Sequence, residues 1–163
     1  VIQKKICLLG PTGVGKTSLV RQFVDGIFSE KYLTTIGVKI DKKEVTAGDK
    51  TAQLLIWDIE GVDRYCGFNP RYLRGAAAFV IVVDQTRSQS LLEGMDIYES
   101  ARAEFPDTPA FFVVNKADLP SEWYWSEDEV AERENLFSAA IKTSAKTGEN
   151  VERLFQELAE LTV

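Results

Sequence analysis

Gly10, Gly15, Lys16 and Thr17 stand in the stretch GPTGVGKTSL, residues 10–19, with the spacing Gly-x-x-x-x-Gly-Lys-Thr. Glycine leaves a turn without Cβ atoms, so an anion can come close to the backbone and meet successive inward N–H groups. The lysine adds a positive charge at the same point, and the pattern fits a phosphate-binding loop. Its flanks agree. IQKKICLLG reads as a strand with Ile6, Leu8 and Leu9 inside, and SLVRQFVDG places Leu19, Val20, Phe23 and Val24 at helical spacing with Gly26 as a stop. The unsatisfied N–H groups and positive dipole end of that helix would face the same anion. An ordinary Gly-rich turn has no need of a strand and a helix on its two sides.

A phosphate loop alone permits kinases, ATPases and GTPases, so the base decides. Residues 115–118, NKAD, directly follow the apolar run AFFVV. Guanine offers neighbouring donors at N1 and N2 that one carboxylate can accept together, and adenine cannot make that pair. Asp118 suits this role, Asn115 the N7/O6 side, and Lys116 can lie along the base and brace the phosphate loop. TSAK, residues 143–146, follows another short strand and offers the Ala145 N–H to guanine O6. Taken singly, an Asn-Lys-x-Asp tetrapeptide is more often a surface turn. Its place after a buried strand, in this order, is what carries weight.

The elements that must position these residues alternate between strand and helix. VKIDKKEVTAGDKTAQLLIWD reads as two strands joined near Ala47-Gly48-Asp49. AAAFVIVVD and PAFFVVN are continuously apolar, as strands covered on both faces would be. SLLEGMDIYESARAEF has helical spacing, and SEDEVAEREN opens with a capping pattern at Ser126 and Glu129. AAIKTSA is a short strand, and NVERLFQELAEL a helix with Val151, Leu154, Phe155, Leu158 and Leu161 on one face. The alternation predicts an α/β fold: a mainly parallel sheet with helices on both faces and one antiparallel edge strand from the early hairpin. Ligands of such sheets sit at the carboxyl ends of the strands, where these motifs fall.

Composition narrows the class. The 163 residues fit a single domain, 1–163, with 45% hydrophobic and 27% charged residues. A net charge of −6 gives no broad attraction to nucleic acid or to an anionic membrane. Cys7 and Cys66 make no disulfide framework, which points to a reducing, cytoplasmic setting with Cys7 as a core residue. No leader or apolar run of the roughly 18 residues a membrane helix needs is present, and LAELTV carries no prenylation cysteine.

GPTGVGKTSL, TTIGV, WDIEG, NKAD and TSAK, in order and over nearly the whole chain, resemble the Ras superfamily of small GTPases. KYLTTIGVKI, LLIWD and YLRGAAAFVIVVD are most similar to the Rab branch. The resemblance implies a P-loop NTPase of the G-domain type, with six strands and about five helices, binding GTP or GDP with Mg²⁺. It implies that Gly13, Val14, Gly15, Lys16, Thr17 and Ser18 hold phosphates, with Lys16 on the β- and γ-phosphates. Thr17, Thr35 and Asp58 would serve the metal, Asp58 through water, and the Gly61 N–H would meet the γ-phosphate, giving Lys16, Thr35 and Gly61 the catalytic roles. Phe28 would pack edge-on against the guanine, beside Asn115, Lys116, Asp118, Ser144, Ala145 and Lys146. Effectors and regulators would bind through residues 28–38 and 59–72 of a monomer.

One position departs from the pattern. Family members usually carry glutamine directly after the glycine of WDIEG, where its amide orients the attacking water; here Val62 stands there. Glu60, Asp63 and Arg64 are the candidate substitutes, and Thr12 replaces a residue that is glycine in Ras-like members. Trp123, Tyr124 and Trp125 are expected to cover the base-binding loop and the start of the next helix, with a partner-binding patch as the alternative. A switch that hydrolyses GTP slowly is the leading reading. A non-hydrolysing scaffold and a GTPase domain of a larger regulatory protein stay open, while a small-molecule kinase lacks any acceptor or lid segment.

Overall fold

The computed structural model describes residues 2–26, 38–59 and 70–163. Six strands form one sheet: β1 (Ile2–Leu9), β2 (Val38–Ala47), β3 (Lys50–Ile59), β4 (Ala76–Asp84), β5 (Ala110–Asn115) and β6 (Ala139–Lys142). They run in the order β2-β3-β1-β4-β5-β6, and only β2 and β3 pair antiparallel. Four α-helices accompany them among the described residues: α1 (Lys16–Asp25), α2 (Gln89–Glu104), α3 (Glu127–Glu134) and α4 (Val151–Thr162). With the 3₁₀ turn at Pro70–Leu73, this compares with an expectation of about five helices.

Strand order explains where a ligand belongs. After β1 the chain moves to one side for β2 and β3, then crosses back to place β4 on the other side of β1. A crevice opens beyond the carboxyl end of β1, at the point where the direction of winding reverses. Parallel register brings the other strand ends to the same rim: Leu8 pairs with Asp58, and Asp84 with Asn115. The hairpin turns at Gly48-Asp49, with Gly48 in the left-handed region at φ 65°.

Burial follows the alternation of the strands. Ile6 and Leu8 face α1 and α4, where Leu19, Phe23, Leu154 and Phe155 close the core and the Phe23 and Phe155 rings stack at 4.0 Å. Cys7 and Leu9 face the opposite layer with Phe79, Ile81, Ile97 and Ala101 of β4 and α2. The Cys7 thiol, buried away from water, is pushed up to about 12 and stays protonated at neutral pH. One expectation fails: Leu161 is 46% exposed, and Ala159 completes the buried face of α4 instead. Leu161 lies in the last helical turn at the margin of the stripe set by Val151, Leu154 and Leu158.

Helix α3 buries none of its residues fully and relies on its start. Ser126 accepts from the Glu129 N–H, and the Glu129 carboxylate accepts from the Ser126 N–H, each at 3.1 Å. Those bonds from Ser126 hold the Glu129 carboxyl below its ordinary range.

Helix α2 lies so close to β4 that it needs Gly94. A Cβ there would sit 2.5 Å from Cγ1 of Val83, a stiff β-branched side chain with no exposure. Alanine normally gains about 1 kcal/mol over glycine inside a helix. We predict that Gly94→Ala instead lowers stability by about 1–2 kcal/mol through overpacking, read from the urea unfolding midpoint. A raised midpoint would show that α2 can lift off the sheet at no cost.

Candidate functional site

Residues 10–15 leave β1 and turn into α1 with their backbone folded against the sheet. Val14, fully buried, anchors the turn in the core under α1. Gly13 and Gly15 sit in the left-handed region at φ 81° and 97°. A Cβ on Gly10 would collide with the Val82 carbonyl, and one on Gly15 with the Asn115 amide nitrogen. No side chain caps α1 at Gly15, so the helix opens with backbone N–H groups suited to an anion. Ser18 stands in that first turn.

The charged and polar partners come from the strand ends. Lys16 is 6% exposed and donates from Nζ to the Gly10 carbonyl at 3.2 Å, folded back over the loop. Thr17 donates to Asp58 Oδ2 at 2.6 Å, joining the start of α1 to the end of β3. Asn115 donates from Nδ2 to the Val14 carbonyl at 2.9 Å and accepts at Oδ1 from the Thr143 hydroxyl at 3.1 Å. Lys116 adopts φ 64° and sends its ammonium to the Gly13 carbonyl at 3.2 Å. Lys116 thus reaches residues 10–15, the contact the sequence led us to expect.

NKAD and TSAK, the two segments expected to meet the base, touch one another. Ser144 donates to Asp118 Oδ1 at 2.8 Å, and the Ala117 N–H to the Thr143 carbonyl at 3.0 Å. The turn after β6 closes on itself through Gly148 N–H to Ser144 O at 2.8 Å and Thr147 N–H to Ser144 Oγ at 3.1 Å. Ala145 is buried and Lys146 exposed at its edge. Asp118 remains exposed, with the carboxylate fixed by one serine bond and reachable from solvent.

Phe28, Thr35 and Gly61 lie outside the described residues, as do Glu60, Val62, Asp63, Arg64 and Cys66. The remaining donor set fits Mg²⁺ in kind: a threonine hydroxyl and a carboxylate, hard oxygen ligands, held together beside a buried lysine. Among the described residues no three Asp, Glu, Cys or His side chains form a cage. A cation that keeps several waters and takes substrate phosphate oxygens needs no such cage.

Two side chains escaped sequence reasoning. Asp84, fully buried at the end of β4, pairs with Lys116 at 2.9 Å and accepts from the Thr86 N–H and hydroxyl at 2.8 and 2.7 Å. Thr143 fixes the Asn115 amide. A carboxylate closing the apolar run AAAFVIVVD was the available signal for Asp84; Thr143 opens the TSAK motif, which pointed to Ala145 and not to this bond. The tryptophans meet the expectation in part: the Trp125 ring lies 5.4 Å from the Arg133 guanidinium of α3, and both tryptophans pack with Val130 against one core cluster. Trp123 donates its indole N–H to the Asp84 and Arg87 carbonyls at 2.7 and 3.1 Å, and Trp125 to Ser88 O at 2.8 Å. They fasten the turn after β4, and Tyr124 between them is 94% exposed.

The family model described as Ras family matches residues 5–163. The chain belongs to the Ras family. It is 37% identical over 163 residues to "Ras-related protein Rab5" of Nicotiana tabacum, covering 98% of this chain and 80% of that one. To "Ras-related protein Rab-31" of Homo sapiens it is 35% identical over 157 residues, 95% of this chain and 80% of the other. This Ras-family GTPase is thus Rab-like, and its six-stranded sheet with one antiparallel pair is the fold the motifs imply.

Asp84 supplies the test of the brace. We predict that Asp84→Asn leaves the Lys116 ammonium without its carboxylate and lowers stability by about 2 kcal/mol. That is less than a fully buried pair would lose, because Lys116 is partly exposed. Urea unfolding measures it, and an unchanged midpoint would show that the pair adds nothing.

Proposed function

We propose that this Ras-family GTPase is a guanine-nucleotide switch that binds GTP and GDP with Mg²⁺ and hydrolyses GTP slowly. One observation carries the reading: Asn115 and Lys116 of NKAD grip the carbonyls of Val14 and Gly13 in the phosphate loop, so base and phosphate determinants share one crevice. In this reading residues 1–163 form one G domain acting as a monomer in the cytoplasm. Effectors and regulators bind through residues 28–38 and 59–72.

Each described residue has a task. The N–H groups of Gly13, Val14, Gly15, Lys16, Thr17 and Ser18 receive phosphate oxygens, and the Lys16 ammonium neutralises charge developing on them. Thr17 and Asp58, already joined at 2.6 Å, would hold the metal, Asp58 through water. Mg²⁺, when bound, screens phosphate charge and orients the terminal phosphoryl group. Asp118 accepts guanine N1–H and N2–H together, with its carboxylate oriented by Ser144. The second hydrogen on Asn115 Nδ2 is available for N7, the first being committed to Val14. Ala145 gives its N–H to O6, and Lys146 closes that side. From the family pattern, Phe28 would pack on the base, Thr35 would serve metal and phosphate, and the Gly61 N–H would meet the γ-phosphate.

The Val62 position makes turnover slow in this reading. Valine cannot orient water, and positioning is most of what catalysis of phosphoryl transfer requires. A non-hydrolysing scaffold draws its support from the same residue.

Asp118→Ala should leave the two guanine donors unmatched and cost about 2–3 kcal/mol of GDP affinity, measured by calorimetry. ATP competing equally with GTP against the unsubstituted protein would sink the base assignment. Val62→Gln should raise single-turnover GTP hydrolysis about tenfold, equivalent to about 1.4 kcal/mol of barrier, with GDP affinity little changed. If the unsubstituted protein already matches the glutamine variant, another group orients the water and the slow-turnover reading fails.

A further inference from the structure

A planar trans peptide points its C=O and its following N–H in opposite directions. Holding a carbonyl from outside the phosphate loop therefore aims the next N–H toward the loop's interior. Lys116 on the Gly13 carbonyl aims the Val14 N–H in this way, and Asn115 on the Val14 carbonyl aims that of Gly15. A third donor extends the series by one residue. Arg87 Nη1 donates to the Thr12 carbonyl at 2.8 Å, across 75 positions of sequence.

Nothing in the nucleotide-binding motifs includes Arg87, yet its own geometry is well held. Its N–H donates to the Asp84 carbonyl at 3.1 Å. Its carbonyl accepts from Ser90 Oγ at 2.7 Å and from the Trp123 indole at 3.1 Å. Glu93 lies 3.9 Å from Nη2 and steadies the guanidinium without competing for the Thr12 carbonyl. Three successive carbonyls, Thr12, Gly13 and Val14, are thus held by donors from the β4–α2 turn and the end of β5.

We propose that Arg87 is a positioning residue for phosphate binding, fixing the Thr12–Gly13 peptide so that the Gly13 N–H faces the bound phosphates. This rests on the nucleotide-binding reading above. It adds to that reading a residue outside the shared motifs, and a mechanical link from Trp123 through Arg87 to the phosphate loop. The bond is charge-assisted but the Arg87 side chain is 40% exposed, so the effect is moderate.

The test compares Arg87→Ala and Arg87→Lys with the unsubstituted full chain. Release of a fluorescent GDP is followed by stopped flow, and exchange of the Gly13 amide by hydrogen–deuterium NMR with and without GDP. Arg87→Ala should release GDP about fivefold faster and lose Gly13 protection, while amides in the middle of α1 stay protected. Arg87→Lys, which keeps one cationic donor for a single acceptor, should restore release to within about twofold. Release from Arg87→Ala at the original rate, or a lysine variant as fast as the alanine one, overturns the proposal. If Arg87→Ala does not fold, the lysine variant decides alone: slow release with Gly13 protected supports the clamp, and fast release overturns it. Failure of the unsubstituted protein to bind GDP would instead strike the nucleotide reading. The Gly13 exchange of the nucleotide-free proteins would then still judge the clamp.

Discussion

A loop that turns its N–H groups toward an anion turns its carbonyls toward its own protein, and each of those carbonyls must find a donor. This constraint organises the molecule around residues 10–16. Gly10 is satisfied by Lys16, Thr12 by Arg87, Gly13 by Lys116 and Val14 by Asn115. The donors come from α1, from the turn after β4 and from the end of β5, so strand ends beside β1 serve one short backbone. Glycine at 10 and 15 follows from the same closeness, since a Cβ would strike the Val82 carbonyl or the Asn115 amide.

The donors need holding in turn. Lys116 is fixed by Asp84, and Asp84 by its own turn through Thr86. Asn115 is fixed by Thr143, which ties β6 to the site. Trp123 and Trp125 cover the turn after β4, with Trp123 bonded to the carbonyls of both Asp84 and Arg87. Burial makes these bonds matter: Asp84 and Thr143 have no exposure, and a polar group there costs free energy unless it is paired. The rim of the crevice is a supporting shell built around one backbone shape.

The sheet supplies the frame. β1 sits between β3 and β4; its register with β3 sets Asp58 opposite Leu8, and the register of β4 with β5 sets Asp84 opposite Asn115. A one-residue slip in β3 would turn Asp58 to the other face and break its bond with Thr17. The alternation of β3 itself, with Ala52, Leu54 and Ile56 buried and Gln53, Leu55 and Trp57 only partly so, works against that slip.

The sequence by itself determined the elements and the kinds of chemistry. Apolar runs at 76–83 and 110–114 read as strands covered on both faces, and Gly10-x-x-x-x-Gly15-Lys16-Thr17 between a strand and a helix fits a phosphate loop. NKAD and TSAK at strand ends named Asn115, Lys116, Asp118 and Ala145 because local order places them on one rim. Tertiary structure decided which of these side chains touch, and which residues outside the motifs join them. Asp84 and Arg87 lie outside the motifs where β4 turns toward α2, Thr143 opens TSAK after β6, and their partners are set by the parallel register and by how turns pack. The exposure of Leu161 belongs to the same class, since a helical stripe says which residues can be buried and only the neighbouring surface says which are. Local pattern follows from backbone geometry, whereas a contact across 75 residues exists only once the sheet has brought its ends together.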